Sequence, residues 1–140
     1  MQPMDFEKAR FNMVEQQVRP WDVLDQSVLD LLFVVKREDF VPPAYRALAF
    51  SDMEIPLRIE GVDTGVCMWS PKLEARILQE LAVKPHETVL EIGTGSGHLT
   101  ALLAHKAYHV VSVEIDPRLA AFGAANLARA GVHNVLLETG

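Results

Sequence analysis

The sequence holds a single cysteine, Cys67, and that scarcity excludes an intrachain disulfide and any cysteine-based metal cluster. Such usage fits a reducing, cytoplasmic setting. Basic residues are also few. Thirteen Lys and Arg stand against nineteen Asp and Glu, for a formal net charge of −6. With no Lys or Arg cluster to neutralise phosphates, no nucleic-acid partner is expected. Long apolar runs are missing too. The longest, residues 28–35, contains Asp30 and is too short to span a bilayer, and Asp5 and Glu7 interrupt what a signal peptide would need to be apolar. No membrane partner is expected. The histidines do not compensate for the missing thiols: His105 and His109 are four apart, but one ends a predicted helix and the other begins a strand, so no metal site is expected.

What remains suffices for a packed core, at 49% hydrophobic residues and a mean hydropathy of +0.12. There is no internal repeat or low-complexity tract, but the pattern changes near residue 70. Residues 1–70 read as a helical and irregular region. Apolar spacing predicts a helix over 6–18 that Pro20 ends, a second helix capped by Asp25 and running to Val35, and a short helix over 44–49 after Pro42 and Pro43. Residues 52–67 carry Pro56, Gly61 and Gly65 without clear periodicity and read as a loop or irregular hairpin. Trp21 reads as a packing anchor, and Met1, Met4, Met13, Met53 and Met68 as core or terminus.

Residues 71–140 are more regular. Ser70 and Pro71 open a helix whose apolar stripe is Leu73, Ile77, Leu78 and Leu81, closed by Lys84 and Pro85. A strand over 88–92, a helix over 99–106, a strand over 109–115, a helix from Asp116 and Pro117 to Ala130 and a strand opening at Val135 follow. Such alternation predicts a parallel sheet.

Between the first strand and its helix lies Glu91-Ile92-Gly93-Thr94-Gly95-Ser96-Gly97. Glycines here permit a sharp turn and let a ligand lie on the main chain. A dinucleotide fingerprint would place its third glycine at position 98, which is His98, so NAD and FAD are disfavoured. No Gly-Lys-Ser/Thr follows, which excludes a P-loop. S-adenosylmethionine carries no phosphate but does carry a sulfonium and an amino group, so an acidic neighbour such as Glu91 makes electrostatic sense. Glu114, at the end of the next strand, is placed to accept both ribose hydroxyl protons. The cofactor-binding set is therefore Glu91, Gly93, Thr94, Gly95, Ser96, Gly97 and Glu114.

The chain resembles the N-terminal part of the protein-L-isoaspartate O-methyltransferase family. The resemblance rests on Met13-Val14-Glu15-Gln16-Gln17-Val18-Arg19, on Arg37-Glu38-Asp39-Phe40-Val41-Pro42 with Tyr45 and Leu48-Ala49-Phe50, on residues 89–97, and on Val111-Ser112-Val113-Glu114. It implies a Rossmann-like, doubly wound α/β methyltransferase fold, here truncated after two to three parallel strands. It also implies S-adenosylmethionine as cofactor, isoaspartyl residues of damaged proteins or peptides as methyl acceptors, and repair as the outcome. The family carries Thr-Ile-Ser-x-Pro just before the helix that opens here at Pro71, and its serine is credited with catalysis. Anchored on Pro71, this chain reads Cys67-Met68-Trp69-Ser70-Pro71, so Trp69 stands at the serine position. Ser70 then reads as a helix N-cap or as a shifted catalytic hydroxyl, and Trp69 as an aromatic wall of the cofactor pocket or a core residue. A non-catalytic relative serving as an interaction module is the alternative that Trp69 motivates. Glu138-Thr139-Gly140 matches the point at which the family continues into a Gly-Asp-Gly turn. The strand at Val89 would be central in the complete fold, so self-association through its unpaired edge is expected.

Overall fold

Asp5 starts α1, Phe6–Met13, by accepting a hydrogen bond from the Lys8 amide at 3.1 Å. The computed structural model describes residues 4–140, so the reading of Met1 lies outside the described residues. The expected helix over 6–18 is one helical path of three kinds: α1 widens into a π turn, Val14–Val18, and tightens into a 3-10 turn, Arg19–Trp21, that takes in Pro20. A proline without an N–H tolerates such a short terminal turn better than a continued α-helix. α2, Gln26–Val34, begins where expected, with the Asp25 carboxylate accepting from the Ser27 amide at 2.9 Å, and buries Val28, Leu29 and Leu32. Residues Arg37–Phe40 and Pro43–Leu48 form 3-10 helices, the first unforeseen and the second where a short helix is expected.

Residues 52–67 resolve into the irregular hairpin of the two readings. β1, Ile55–Ile59, pairs antiparallel with β2, Val62–Met68, and the register shifts between Pro56 and Arg58, where proline has no amide to give. Glu60 and Gly61 both have positive φ, the backbone a two-residue hairpin turn demands.

α3, Pro71–Leu81, departs from expectation in three ways. Ser70 stands at the N-cap, but its side chain makes no capping bond; its carbonyl accepts from the Glu74 amide. The helix ends at Ala82, in the left-handed region at φ 46°, rather than at Lys84. The buried face is Pro71, Glu74, Ala75 and Leu78, while Leu81 is exposed, because a paired glutamate takes a place that apolar periodicity assigned elsewhere.

β3 (Thr88–Ile92), β4 (His109–Glu114) and β5 (Val135–Thr139) form a parallel sheet in that order, with α4 (His98–Lys106) and α5 (Pro117–Arg129) as crossovers. Alternation sorts the strands into two faces. Val89, Val110, Ser112, Val135 and Leu137 join the covered face, packed under α4 and α5. Leu90, Ile92 and Leu136 belong to the other face, which no described helix covers: Leu90 is 64% exposed and Ile92 76%. β3 has no strand on its outer edge among the described residues.

One core unites the parts on either side of residue 70, with Val14, Val18, Phe40, Leu57, Leu78, Leu102 and Leu119 all buried in it. Met13 and Met68 belong to that core, whereas Met4 and Met53 are exposed. No helix among the described residues is long and apolar enough to cross a membrane.

Candidate cofactor site

The three strands end on the same side, and the loop after β3 turns there. The Gly93 amide donates to the Val113 carbonyl at 2.7 Å, fixing the turn against β4. Gly93, Gly95 and Gly97 have φ of +96°, +55° and +86°, values that strain any residue with a Cβ. Two of these glycines serve different ends. A Cβ placed on Gly93 would meet no protein atom within 4 Å, so the backbone there lies under open space. One placed on Gly97 would come within 3.2 Å of the Gly123 carbonyl and of Leu127, so that glycine lets α5 approach. Gly123 returns the fit, since its own Cβ would sit 3.0 Å from the Gly95 carbonyl oxygen and the Thr94 methyl.

Above the loop is a cavity of about 420 Å³ bordered by Glu91, Gly93, Thr94, Gly95, Ser96 and Glu114. Gly97 and Ser70 are not among its walls. The hairpin and the segment after it close the opposite side with Leu57, Val66, Cys67, Met68 and Trp69. A second hollow of about 340 Å³, between α5 and the end of β5, shares Thr94 and Glu114 with the first. The carboxyl ends of parallel strands are where open α/β sheets hold ligands.

The acids are held in different ways. Glu114 accepts from the Gly95 amide at 2.8 Å through Oε1 and from the Asp116 amide at 3.1 Å through Oε2, clamping the loop to the end of β4. Each carboxylate oxygen has a second lone pair, so one acceptor position per oxygen remains for a ligand. Glu91 is largely buried, and burial pushes its carboxyl up from the usual range, helped by the neighbouring charges of Glu74 and Glu114. The hydroxyls of Thr100 and Ser112 resist that rise by donating to its Oε1, and Ser112 in turn shares a 2.6 Å hydrogen bond with Thr94. Among the described residues its Oε2 has no partner.

Behind the cavity wall is a buried network that sequence reasoning missed. Arg37, 2% exposed, donates to Glu74 Oε1 at 2.6 Å, to the Ala49 carbonyl at 2.7 Å and to the Trp69 carbonyl at 2.8 Å. The other oxygen of Glu74 meets His98 Nδ1 at 3.0 Å, on the first residue after the glycine loop. Burial alone would push the Glu74 carboxyl up, but His98 and Arg37 outweigh it and hold the group below its ordinary value. The network ties the N-terminal region, the start of α3 and the start of α4 together. No local signal could have found it, since Glu74 reads as an ordinary acid in a first helical turn and its partners are 37 and 24 residues distant. Trp69, 43% exposed, lines the cavity and is not a core residue.

The arrangement leaves room for a ligand of nucleoside size along a glycine floor lined by acids and no bases. The sequence model of one family, Protein-L-isoaspartate(D-aspartate) O-methyltransferase, matches residues 9–140. The chain is 38% identical over 134 residues to protein-L-isoaspartate O-methyltransferase 2 of Anaeromyxobacter sp. (strain Fw109-5), covering 96% of this chain and 53% of that protein. It is also 38% identical over 133 residues to protein-L-isoaspartate O-methyltransferase of Methanoculleus marisnigri, covering 95% and 58%. The chain thus spans about half the length of the curated relatives it matches. Among solved structures, a protein-L-isoaspartate O-methyltransferase superposes with a TM-score of 0.75 at 24% identity, over 97% of this chain and 42% of that one. A Plasmodium falciparum structure described under the same activity, in complex with S-adenosyl-L-homocysteine, superposes at 0.74 and 19% identity over 96% and 62%. The likeness in structure establishes the α/β methyltransferase fold, and the likeness in sequence establishes the family: this chain belongs to the protein-L-isoaspartate O-methyltransferases.

Proposed function

We propose that this chain binds S-adenosylmethionine in the cavity over the glycine loop, as part of an enzyme that methylates the α-carboxylate of isoaspartyl residues in damaged proteins. The observation that carries this reading is the juxtaposition, on one cavity wall, of the open backbone at Gly93 and the strand-end carboxylates Glu91 and Glu114. The residues fit the cofactor's chemistry. The cavity volume falls within the range of roughly 300–1,000 Å³ typical of small-molecule sites. Glu91 Oε2 is free to accept from an amino group, and Glu114 retains lone pairs for ribose hydroxyls. When bound, S-adenosylmethionine supplies an electrophilic methyl group on a sulfonium. The protein's task is then mostly alignment, because a carboxylate acceptor is already ionised near neutral pH and needs little general-base help.

In this reading residues 71–140 carry the cofactor and residues 1–70 brace it through Arg37, in a reducing cytoplasm. Ser70, whose hydroxyl makes no helix-capping bond, is the candidate to meet the acceptor. The open edge of β3 and the bare apolar face beside it pair with a second copy, since each Leu or Ile covered there contributes about 1.5–3 kcal/mol. A second reading, a non-catalytic cofactor-binding relative acting as an interaction module, is favoured by the exposed indole of Trp69 on the cavity wall.

Calorimetric titration of the chain with S-adenosylhomocysteine tests the leading reading. One site per chain is expected, weakened about tenfold or more by Glu114→Ala, which removes both a ligand acceptor and the clamp on Gly95. A folded chain that takes up no S-adenosylhomocysteine rejects it.

A further inference from the structure

The walls of the 420 Å³ cavity contain three carboxylates, Glu74, Glu91 and Glu114, and no Lys or Arg. Not all of that charge is available. Glu74 is matched by Arg37 and His98, and both oxygens of Glu114 take backbone amides. Glu91, with its elevated carboxyl, leaves one oxygen free. Beyond the hydroxyl residues Thr94 and Ser96 and the glycine loop, the rest of the wall is largely apolar, from Leu57, Val66, Met68 and Leu99, with one indole.

That indole differs from its counterparts elsewhere in the molecule. Lys72 Nζ sits 4.4 Å from the centre of the Trp21 ring, Arg10 lies 5.1 Å over Phe50, and Arg46 lies 5.6 Å over Phe6. Trp21 is therefore a platform for a lysine rather than the packing anchor its sequence context suggests. Among the described residues no side-chain cation lies over Trp69, although its ring is 43% exposed and borders the cavity. Its backbone is not free to drift, because the buried Arg37 guanidinium holds its carbonyl at 2.8 Å. An electron-rich ring on an anchored backbone, beside a wall that lacks basic residues, suits a cation that is weakly hydrated and has no hydrogen to donate. A sulfonium is such a cation, whereas a carboxylate-only wall recognises an ammonium better.

We propose that Trp69 is the specificity-determining residue by which this cavity tells the positively charged sulfonium of S-adenosylmethionine from the neutral thioether of S-adenosylhomocysteine. The proposal rests on the reading of the cavity as the S-adenosylmethionine site and adds to it the group that senses charge at sulfur. The two ligands share adenosine, amino and carboxylate groups and differ only in the methyl group and positive charge at sulfur, so every contact away from sulfur cancels in their comparison.

Calorimetry with both ligands on the 140-residue chain, and on Trp69→Phe and Trp69→Leu, tests it. Trp69→Leu raises the Kd for S-adenosylmethionine about five- to tenfold and that for S-adenosylhomocysteine less than about twofold, with Trp69→Phe between wild type and leucine. Equal losses for both ligands would overturn the proposal while leaving the cofactor site intact, because Trp69 would then act by packing alone. Unchanged affinities in both variants would overturn it too. A folded wild-type chain that binds neither ligand removes the proposal together with the reading beneath it.

Discussion

The two faces of the parallel sheet are built from the same strands and differ in almost everything else. On one face Val110 and Ser112 are fully buried beneath α4 and α5, and the polar groups there are paired: Ser112 with Glu91 and Thr94, and Glu114 with two amides. On the other face Leu90 and Leu136 lie open, at 64% and 49% exposure, while Ile92 and Ile115, at the strand ends, border the cavity. Parallel strands ordinarily read as near-continuous apolar runs because both faces are covered, and β4, with Val110, Val111 and Val113, reads that way. The contrast teaches that the strands are composed for a two-sided core while the described residues supply one side of it. The cofactor site lies at the strand ends, and its carboxylates belong to the finished side. Its supports come from α3, α4 and the 3-10 turn at Arg37.

If the finished side is held by its buried charges, removing one of them should have the largest effect. Glu74→Ala leaves Arg37 and His98 buried without their carboxylate and should cost about 3–5 kcal/mol of stability in urea unfolding; a loss below about 1 kcal/mol would show that the network is not what holds this side. The same network sets an acid limit. Glu74 and Glu38, the latter bound bidentate by Arg10 at 2.7 and 2.8 Å, both titrate below their ordinary value of 4.5. Burial raises each, and the paired cations more than offset it. A depressed carboxyl stabilises the fold above its unfolded pKa and loses that contribution as pH falls through the folded value, so the urea midpoint should decline below pH 4.5. Glu91, raised by burial, contributes in the opposite sense.

The open side should respond to the reverse kind of change. Leu90→Lys puts a charge on the β3 edge at a residue outside the cavity walls. It should alter monomer stability by less than about 0.5 kcal/mol, as exposed substitutions do, yet abolish concentration-dependent dimerisation in sedimentation velocity. A wild-type chain that sediments as a monomer at every concentration would break the proposed pairing and leave the two faces equally solitary.

The sequence was legible where local rules decide the outcome. Asp25 and Asp116 cap the helices they precede, the strand–helix alternation yields parallel pairing, and the glycine loop falls between strand and helix as its motif requires. It was less legible where tertiary pairing overrides periodicity. Glu74 occupies an inward position that the apolar stripe gave to Leu73 and Leu81, because an arginine from 37 residues earlier neutralises it. Ser70 lacks the capping bond that its place before Pro71 suggests. The hairpin that forms the cavity's far wall has a proline at its register shift, which weakened the two-residue alternation needed to see it. The roles of the glycines also needed neighbours: nothing in the motif separates Gly93, under open space, from Gly97, against α5.

The most direct test of the site is the amide footprint of the 15N-labelled chain on addition of S-adenosylhomocysteine. The account predicts that the largest shifts fall on residues 91–96 and on Glu114 to Asp116, with Leu90 and Leu136 on the bare face little changed. Shifts centred on the bare face, with the glycine loop silent, would contradict it.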